Sequence, residues 1–431
     1  EARGADANSA APVSTGLVSF PLRVQRPATL VAALALVPST FSVGQLATLT
    51  LTVTNTGAAT AQGVAAGVPG SSGPGQLTPT SGQPPAVELP GGASHQFSWT
   101  WQAAAPGAVQ LSVIASGVDA NSGLAVSAAA SATGEVQVVA GLTASASWAA
   151  PVVNTGQAVD LNVQVSNTGQ AAVLDARPAP PAVSGGPLTL LSGPVPSSAL
   201  LDGGASQIFV FSYQAATAGL RQVSTTAVGR DANTDGGLVS NVAAAPPLQV
   251  QRPASLTSML TAPSRVNVGQ DFAVVLTLMN SGDATTSAAP AVPGLGGTGQ
   301  VAAVSGPVPA SAVIAGAGTQ SFSWVYRGAA DGGVTLSANA SGFDATSGVP
   351  VSAPTAGAVV TVEAAATLTA SLELPPEVAL GTTFTVTQIV KNTGGATATA
   401  LIPEPPIPGG TGAAVLVSGP APATATLAGG A

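Results

Sequence analysis

Hydrophobic and polar residues alternate with a period of two in short stretches along the whole chain. In the stretch LTLTVT, which begins at Leu49, the apolar residues occupy one face of an extended strand and the threonines occupy the other. The stretch VDLNVQV, which begins at Val159, repeats this pattern. Such alternation is typical of antiparallel strands with one buried face. Because no stretch has a sustained helical period with caps, the sequence predicts an all-β protein.

These strands end in a short turn of sequence Asn-Thr-Gly or Asn-Ser-Gly. Copies of the turn end at Gly57, Gly169, Gly282 and Gly394. Asn and Gly both tolerate a left-handed backbone, so we expect a tight turn of that kind. In the fourth copy Gln388 takes an apolar position of the strand, which predicts a bulge or a more hydrated strand.

Other landmarks return at the same interval. Asp-Ala-Asn or Asp-Ala-Thr begins at Asp6, Asp119, Asp231 and Asp344, and an aromatic strand begins at Phe97, Phe209 and Phe322. Successive copies lie 112 or 113 residues apart. A module of this length is therefore repeated in tandem.

The first full module contains seven stretches with strand character. They lie near residues 29–37, 46–54, 61–66, 75–80, 94–102, 108–116 and 126–139. Seven short strands in about 110 residues are typical of an immunoglobulin-like sandwich. The predicted fold is all-β, with tandem immunoglobulin-like β-sandwich domains arranged as beads on a string.

The repeat also predicts the domain boundaries. Residues 28–139, 140–252 and 253–364 are predicted to be complete repeats. Residues 1–27 correspond to the C-terminal part of a preceding repeat, and residues 365–431 correspond to the N-terminal part of a further one. We therefore expect the modules to continue past both ends of this sequence.

The strand that closes in VTNTG and continues as A-x-A-x-x-V, from Val53 to Val64, supports a resemblance. It resembles the bacterial cell-adhesion-related repeats called CARDB and related immunoglobulin-like repeats of bacterial surface proteins. The resemblance covers the chain module by module. It implies an extracellular or cell-surface protein that serves as a stalk, adhesin or spacer, and it supplies no catalytic residues.

Composition excludes several classes of partner. Only 6% of the residues are charged, the formal net charge is −8, and Lys and Arg number 10. A nucleic-acid binder needs clustered basic residues, so we expect no nucleic acid. No apolar run approaches the roughly 18–20 residues of a membrane span. With no cysteine, the chain has no disulfide framework.

The aromatic strands carry three aromatic residues on one face. They are Phe97, Trp99 and Trp101; Phe209, Phe211 and Tyr213; and Phe322, Trp324 and Tyr326. Such a row either stacks on sugars or fills the core between two sheets. We expect it to fill the core, with the third aromatic of each strand nearer the rim.

Two further features resemble functional sites. DANTDG, from Asp231, has the acid spacing of a calcium loop, but the twelfth position is Val242. A turn in which Asp binds its own backbone explains all copies, so we predict no metal site. His95 is the only histidine, and Gln207 and Gln320 take its position in later modules. With no catalytic motif, we predict no enzyme activity, catalytic residue or cofactor.

The segments between modules alternate in sequence. VQRPA, with Arg26 and Arg252, precedes the first and third full modules, whereas VVAGL and VEAAA stand at the other two junctions. Either the junctions alternate in geometry or the linker sequence drifts.

The predicted function is a structural component of a bacterial extracellular fibre, stalk or sheath. Outward strand positions carry Thr, Ser, Ala and Gln rather than charges, so we expect the protein to self-associate end to end and laterally. The alternatives are a cell-surface adhesin that binds a glycan or a protein partner, and a non-catalytic appendage of a larger secreted enzyme.

Overall fold

The computed structural model describes all residues from Glu1 to Ala431. It contains strands, turns and no helix, which confirms the all-β fold of tandem β-sandwich domains. A two-stranded hairpin, β1 (Arg3–Ala5) and β2 (Pro12–Ser14), lies before the first module.

The first module is a sandwich of two sheets. Its strands are β3 (Leu30–Val37), β4 (Thr40–Ser42), β5 (Leu46–Asn55), β6 (Ala61–Ala66), β7 (Gly70–Ser72), β8 (Gln76–Pro79), β9 (Val87–Leu89), β10 (Ser94–Ala105), β11 (Gly107–Asp119) and β12 (Ala125–Gln137). One sheet has the order β3-β5-β10-β8, and the other has the order β4-β12-β11-β6-β9 with β7 against β11. This division of strands is that of an immunoglobulin-like sandwich of the constant type.

The second module repeats this arrangement. Its strands are β13 (Leu142–Trp148), β14 (Val152–Asn154), β15 (Ala158–Asn167), β16 (Val173–Pro178), β17 (Ala182–Ser184), β18 (Leu188–Val195), β19 (Ala199–Leu201), β20 (Ser206–Ala215), β21 (Gly219–Thr225), β22 (Ala227–Asp231), β23 (Gly237–Val239), β24 (Ala243–Ala244) and β25 (Leu248–Gln251). The first sheet is β13-β15-β20-β18. The second is interrupted, so that β14-β25-β21-β17 and β19-β16-β22-β23 form separate ladders.

The third module has the same interrupted second sheet. Its strands are β26 (Leu256–Thr261), β27 (Arg265–Asn267), β28 (Asp271–Asn280), β29 (Thr286–Pro290), β30 (Gly294–Gly297), β31 (Gln300–Val308), β32 (Ala312–Ile314), β33 (Thr319–Ala330), β34 (Gly332–Ala338), β35 (Ala340–Asp344), β36 (Pro350–Ser352) and β37 (Ala356–Glu363). The ladders are β26-β28-β33-β31, β27-β37-β34-β30 and β32-β29-β35-β36.

Two hairpins follow the third module. They pair β38 (Leu368–Glu373) with β39 (Thr387–Asn392), and β40 (Ala398–Leu401) with β41 (Ala425–Leu427). Gln388 is exposed, and its strand begins at Thr387. The register with β38 is continuous and shows no bulge. The counterpart strands in the complete modules also pair with an aromatic strand, so the exposure of Gln388 does not test the expectation of a more hydrated strand.

Each module has its own hydrophobic core. The three clusters of buried residues extend from Ala28 to Val136, from Ala140 to Val250 and from Leu256 to Val362. The predicted alternation holds, because Leu49, Leu51 and Val53 are fully buried while the threonines between them are half-buried. The seven strands expected in the first module are present, and three short strands, β4, β7 and β9, were not predicted.

The aromatic strands lie inside these cores. In the first module the register places Phe97 opposite Leu51 and Trp99 opposite Leu49. The first two aromatics of each strand are buried, as predicted. The expectation that the third lies nearer the rim is wrong: Trp101, Tyr213 and Tyr326 are only 5%, 3% and 1% exposed. Neighbouring rings help to cover the two tyrosines, with Trp148 6.1 Å from Tyr213 and Phe272 6.3 Å from Tyr326 between ring centroids.

Candidate functional site

The asparagine of each Asn-Thr-Gly turn is a buried hydrogen-bonding centre. In the second module Asn167 is 2% exposed. Its Oδ1 accepts the backbone N–H of Gly169 at 3.0 Å and of Gly141 at 3.3 Å. Its Nδ2 donates to the carbonyls of Ala171 at 2.8 Å and Leu201 at 3.1 Å. The side chain therefore joins its own turn, the entering chain and a strand of the other sheet.

The same arrangement recurs in every copy of the turn. Asn55, Asn280 and Asn392 each bind the glycine two residues later, the chain that enters the module, and two carbonyls at the corresponding positions. A buried amide with both its donors and its acceptor satisfied specifies one arrangement of the chain, because any other leaves polar groups unpaired. This requirement explains why the turn recurs with the module.

The glycine of the turn is required by close approach rather than by backbone conformation. A Cβ on Gly169 would lie 2.1 Å from the Val139 carbonyl oxygen, which belongs to the entering chain. The corresponding distances at Gly57, Gly282 and Gly394 are all 2.0 Å. None of these glycines, and none of the preceding asparagines, has a positive φ. The predicted left-handed turn is therefore wrong, and the sequence did not reveal the contact with the linker.

The linker itself is hydrogen-bonded to the same turn. The Val138 carbonyl accepts the N–H groups of Gln170 at 3.1 Å and Ala171 at 3.0 Å. The carbonyls of Arg26, Arg252 and Ala364 accept the equivalent pairs at the other junctions. The backbone contacts are thus the same at all four junctions, and the alternation in linker sequence does not change them.

Arg252 adds a side-chain contact at one junction. Its guanidinium makes two bonds to Asp283, of 2.8 and 3.0 Å, which together with its backbone N–H hold the pKa of that carboxyl at about 2. At the linker that carries Arg26, the position equivalent to Asp283 is Ala58, which offers no carboxylate.

In each complete module the Asp of the Asp-Ala-Asn or Asp-Ala-Thr loop binds the module to its linker. In the second module Asp231 Oδ1 accepts the N–H groups of Asn233 and Thr234, both at 2.8 Å. Its Oδ2 accepts the N–H of Ala140, the first buried residue of the module, at 2.8 Å. Burial raises the pKa of Asp231, but these N–H donors outweigh it and the pKa lies below its ordinary value. Asp119 and Asp344 make the same bonds.

These bonds bear out the backbone-turn interpretation of the loop. Both carboxylate oxygens of Asp231 are bonded to N–H groups, and a calcium ligand would have to give up some of those bonds. The absence of a metal site stays a prediction.

The same loop also contacts the preceding module. At the junction of the first and second modules, Asn233 Nδ2 donates to Ser42 Oγ at 3.0 Å and to Gln137 Oε1 at 2.8 Å. Gln45 Nε2 donates to the Asn233 carbonyl at 2.8 Å. The loop of one sandwich therefore binds the end of the sandwich before it.

A glutamine before the linker makes this contact at every junction where both partners lie in the chain. Gln25 Oε1 accepts from Asn121 Nδ2 at 3.1 Å, and Gln251 Nε2 donates to Thr346 Oγ1 at 2.5 Å. Sequence reasoning missed these pairs, whose partners lie about 95 residues apart. The available signal was that both positions recur with the module.

His95 has no catalytic arrangement around it. It lies against Phe97, with 4.8 Å between ring centroids. The Ser94 hydroxyl is paired with Thr54, at 2.7 Å. Glu88 Oε1 accepts the Gly63 N–H, at 3.3 Å. His95 therefore occupies a polar strand position, and the prediction of no enzyme activity stays a prediction.

No protein-family model matches the chain, and no curated protein sequence matches it. The assignment to CARDB-type repeats therefore stays a prediction. No helix of the structure is long and apolar enough to cross a membrane.

Several solved structures are similar to the chain at low scores. The FdeC adhesin of Escherichia coli is 17% identical over 80% of this chain and 99% of its own, with a TM-score of 0.28. The C-terminal domain of the Streptococcus agalactiae AgI/II polypeptide BspA is 9% identical over 51% and 99%, with a TM-score of 0.23. The ICAM-5 D1–D4 ectodomain fragment is 14% identical over 92% and 91%, with a TM-score of 0.30. Because these identities and TM-scores are low, the evidence for the immunoglobulin-like fold is the order of the strands in the sheets.

Proposed function

We propose that the chain is a stiff spacer, a row of immunoglobulin-like sandwiches whose junctions resist bending. One observation carries this proposal: the linker of every junction is hydrogen-bonded to the module that follows it. In a flexible linker the backbone groups are solvated and free to rotate. Here the Asn-Thr-Gly turn and the Asp loop bind linker residues such as Val138, Ala140 and Gly141, and the loop also contacts the preceding sandwich.

Electron microscopy of the purified chain tests the spacer. We expect every particle to show the three sandwiches, with the same angles between neighbouring sandwiches. A continuous range of angles between neighbouring sandwiches would contradict the proposal. The Asp231→Ala variant, which loses the bond to the Ala140 N–H, is expected to widen the angles at the first junction.

We further propose that the spacer lies outside a bacterial cell, as part of a fibre, stalk or sheath. The repeated sandwich and its resemblance to bacterial surface repeats support this location. Protease treatment of intact cells tests it, because a surface protein is degraded while a cytoplasmic marker survives. Protection from the protease would contradict the proposed location.

Lateral association, where it occurs, is expected through the sheet faces rather than the sheet edges. One edge strand of the first sheet carries or adjoins proline in each module, at Pro79, Pro194 and Pro307, and proline cannot donate to an added strand. The outer faces carry mostly uncharged side chains, and a low surface charge favours association. Sedimentation over a range of concentrations tests this expectation. A chain that sediments as a single molecule at every concentration would contradict self-association.

A further inference from the structure

The outer face of the first sheet differs in chemistry between the third module and the other two. In the third module its outward positions on β26, β28 and β33 carry Met259, Val275, Met279 and Val325. The equivalent residues are Ala33, Thr50, Thr54 and Thr100 in the first module, and Ser145, Asn162, Ser166 and Ser212 in the second. Val308 on β31 points to the same side, because its partner Ser323 also lies opposite Val275. We call the five apolar residues of the third module the methionine face.

The methionine face is open to solvent. Met259 and Met279 are 62% and 46% exposed, and they are the only two methionines of the chain. Val308 is 66% exposed. Thr277 and Ser323 lie among these residues, so the patch is apolar with uncharged polar gaps. Exposed apolar patches of this kind mark interaction sites, and the flexible thioether of methionine adapts to a partner surface.

The charges on this outer face cancel. Asp271 and Arg327 are its only charged residues, and they form a pair in which Arg327 Nε and Nη2 donate to the two carboxylate oxygens at 2.6 and 2.9 Å. The whole chain has a formal net charge of −8, so a second copy is repelled in general but not by this face. A two-fold contact brings the same patch of both copies together, and a patch with one charge of each sign is self-complementary.

The size of the face fits one reversible contact. Four strands about 4.8 Å apart, with up to about nine residues at about 3.3 Å each, cover roughly 500 Å². A standard stable interface buries about 800 Å² on each partner, so this face is sufficient for a weak dimer rather than an obligate one. Because the first and second modules lack the apolar residues, each chain offers one such face.

We propose that the methionine faces of two copies of the chain pack against each other about a two-fold axis and form a reversible dimer. This inference rests on the lateral association proposed above. It assigns that association to one face of one module and limits it to two copies.

Sedimentation equilibrium of the whole chain tests the dimer. We expect a monomer–dimer equilibrium in the unmodified chain. Met259→Gln combined with Met279→Gln keeps the length of both side chains but makes them polar, and it should raise the dimer Kd at least about tenfold, or about 1.4 kcal/mol. Met259→Leu combined with Met279→Leu keeps the face apolar and should dimerise as the unmodified chain does. Ser145→Gln combined with Ser166→Gln, at the equivalent positions of the second module, is the control and should leave the Kd unchanged.

Hydrogen peroxide gives an independent readout, because the chain has no cysteine and both methionines lie on this face. Each thioether sulfur takes one oxygen from a peroxide molecule, whose O–O bond breaks and which leaves as water, and the product is a polar sulfoxide. Oxidation should weaken the dimer of the unmodified chain and should not affect the Leu variant. Equal loss in both would contradict the role of the methionines.

The results separate this inference from the proposed function. A chain that is monomeric at every concentration would overturn both the dimer and the lateral association. Association that persists unchanged in a folded Gln variant, or that proceeds beyond dimers, would overturn the assignment to this face while lateral association stands. The angles between neighbouring sandwiches, seen by electron microscopy, test the stiff spacer separately.

Discussion

The contacts at the two ends of each sandwich recur from module to module, whereas the residues on its outer faces vary. At the ends, the buried asparagine and the glycine against the linker make the same contacts in all four copies, and the Asp loops of the three complete modules bind the linker in the same way. On the outer face of the strand that leads to that asparagine, equivalent positions differ. The first module has Thr48, Thr50, Thr52 and Thr54, the second has Asp160, Asn162, Gln164 and Ser166, and the third has Ala273, Val275, Thr277 and Met279.

This difference indicates where the repeat is constrained. Neighbouring residues of one strand alternate between a repeated inner side and a variable outer side, so the constraint comes from contacts rather than from strand propensity. The repeated contacts fix how one sandwich follows another. A face that bound the same ligand in each module would instead repeat its polar residues, and the outer faces do not.

The largest expected effect is at the buried asparagine. Asn167→Ala removes the bonds to Gly169, Gly141, Ala171 and Leu201, and it leaves buried backbone groups without partners. We expect the free energy of unfolding of the second module to fall by about 3–5 kcal/mol. Gln164→Ala, on the outer face of the same strand, is the control and is expected to change it by less than about 0.5 kcal/mol. Hydrogen exchange resolved by module measures both, and equal effects would remove the distinction between end and face.

A smaller loss is expected from adding a methyl group against the linker. Gly169→Ala places Cβ within 2.1 Å of the Val139 carbonyl oxygen, so the linker must shift. We expect a destabilisation of about 1–3 kcal/mol. Gly237→Ala is the control, because no atom lies within 4 Å of its added Cβ and its φ is not positive. Melting curves compare the two variants, and a Gly169→Ala variant as stable as the control would contradict the close approach.

Lowering the pH is expected to weaken the hydrogen bonds at the module ends, which depend on Asp carboxylates, more than the contacts on the outer faces. Asp119, Asp231 and Asp344 have pKa values below the 3.8 of an unperturbed carboxyl, owing to backbone N–H donors that outweigh burial. As the pH falls below about 4, the unfolded chain takes up protons first, so stability is complete above that pH and is lost as the pH falls through the folded pKa values. The melting temperature should therefore fall as the pH is lowered below about 4. Asp231→Asn should reduce this slope, and an unchanged slope would count against the loop.

The smallest expected effect is at the contact between sandwiches. Gln137→Ala removes one hydrogen bond to Asn233 and should cost no more than about 1 kcal/mol. It should nevertheless widen the distribution of angles at the first junction. Gln110→Ala, an exposed glutamine on β11, is the control. Small-angle scattering of both variants compares their flexibility, and identical curves would show that Gln137 does not restrain the junction.

The strand pattern could be predicted from sequence because burial alternates along each strand. The strands β5 (Leu46–Asn55) and β10 (Ser94–Ala105) lie within three residues of their predicted ends. The short strands β4, β7 and β9 have three residues each, too few for an alternating pattern to be visible. Burial of the third aromatic could not be read from sequence either, because it depends on rings such as Phe272 that lie on another strand.

The junction contacts were beyond sequence reasoning for a related reason. The glycine of the Asn-Thr-Gly turn suits a left-handed backbone in general, and only the position of the linker reveals that Gly57 is held by close approach. The contact between Ser42 and Asn233 joins residues of different modules, 191 positions apart. The recurrence of these positions indicated that they are constrained, but it did not indicate which of them contact each other.

The stiffness of a junction is tested most directly by a distance measured across it. The chain contains no cysteine, so spin labels can be attached at Thr50→Cys in the first module and Gln164→Cys in the second without other changes. A reference pair at Thr50→Cys and Gln110→Cys lies within the first module. Pulsed electron paramagnetic resonance should give a single distance between the spin labels across the junction. The distribution of that distance should be no wider than that of the reference pair. A broad distribution across the junction, beside a narrow one for the reference, would contradict the account.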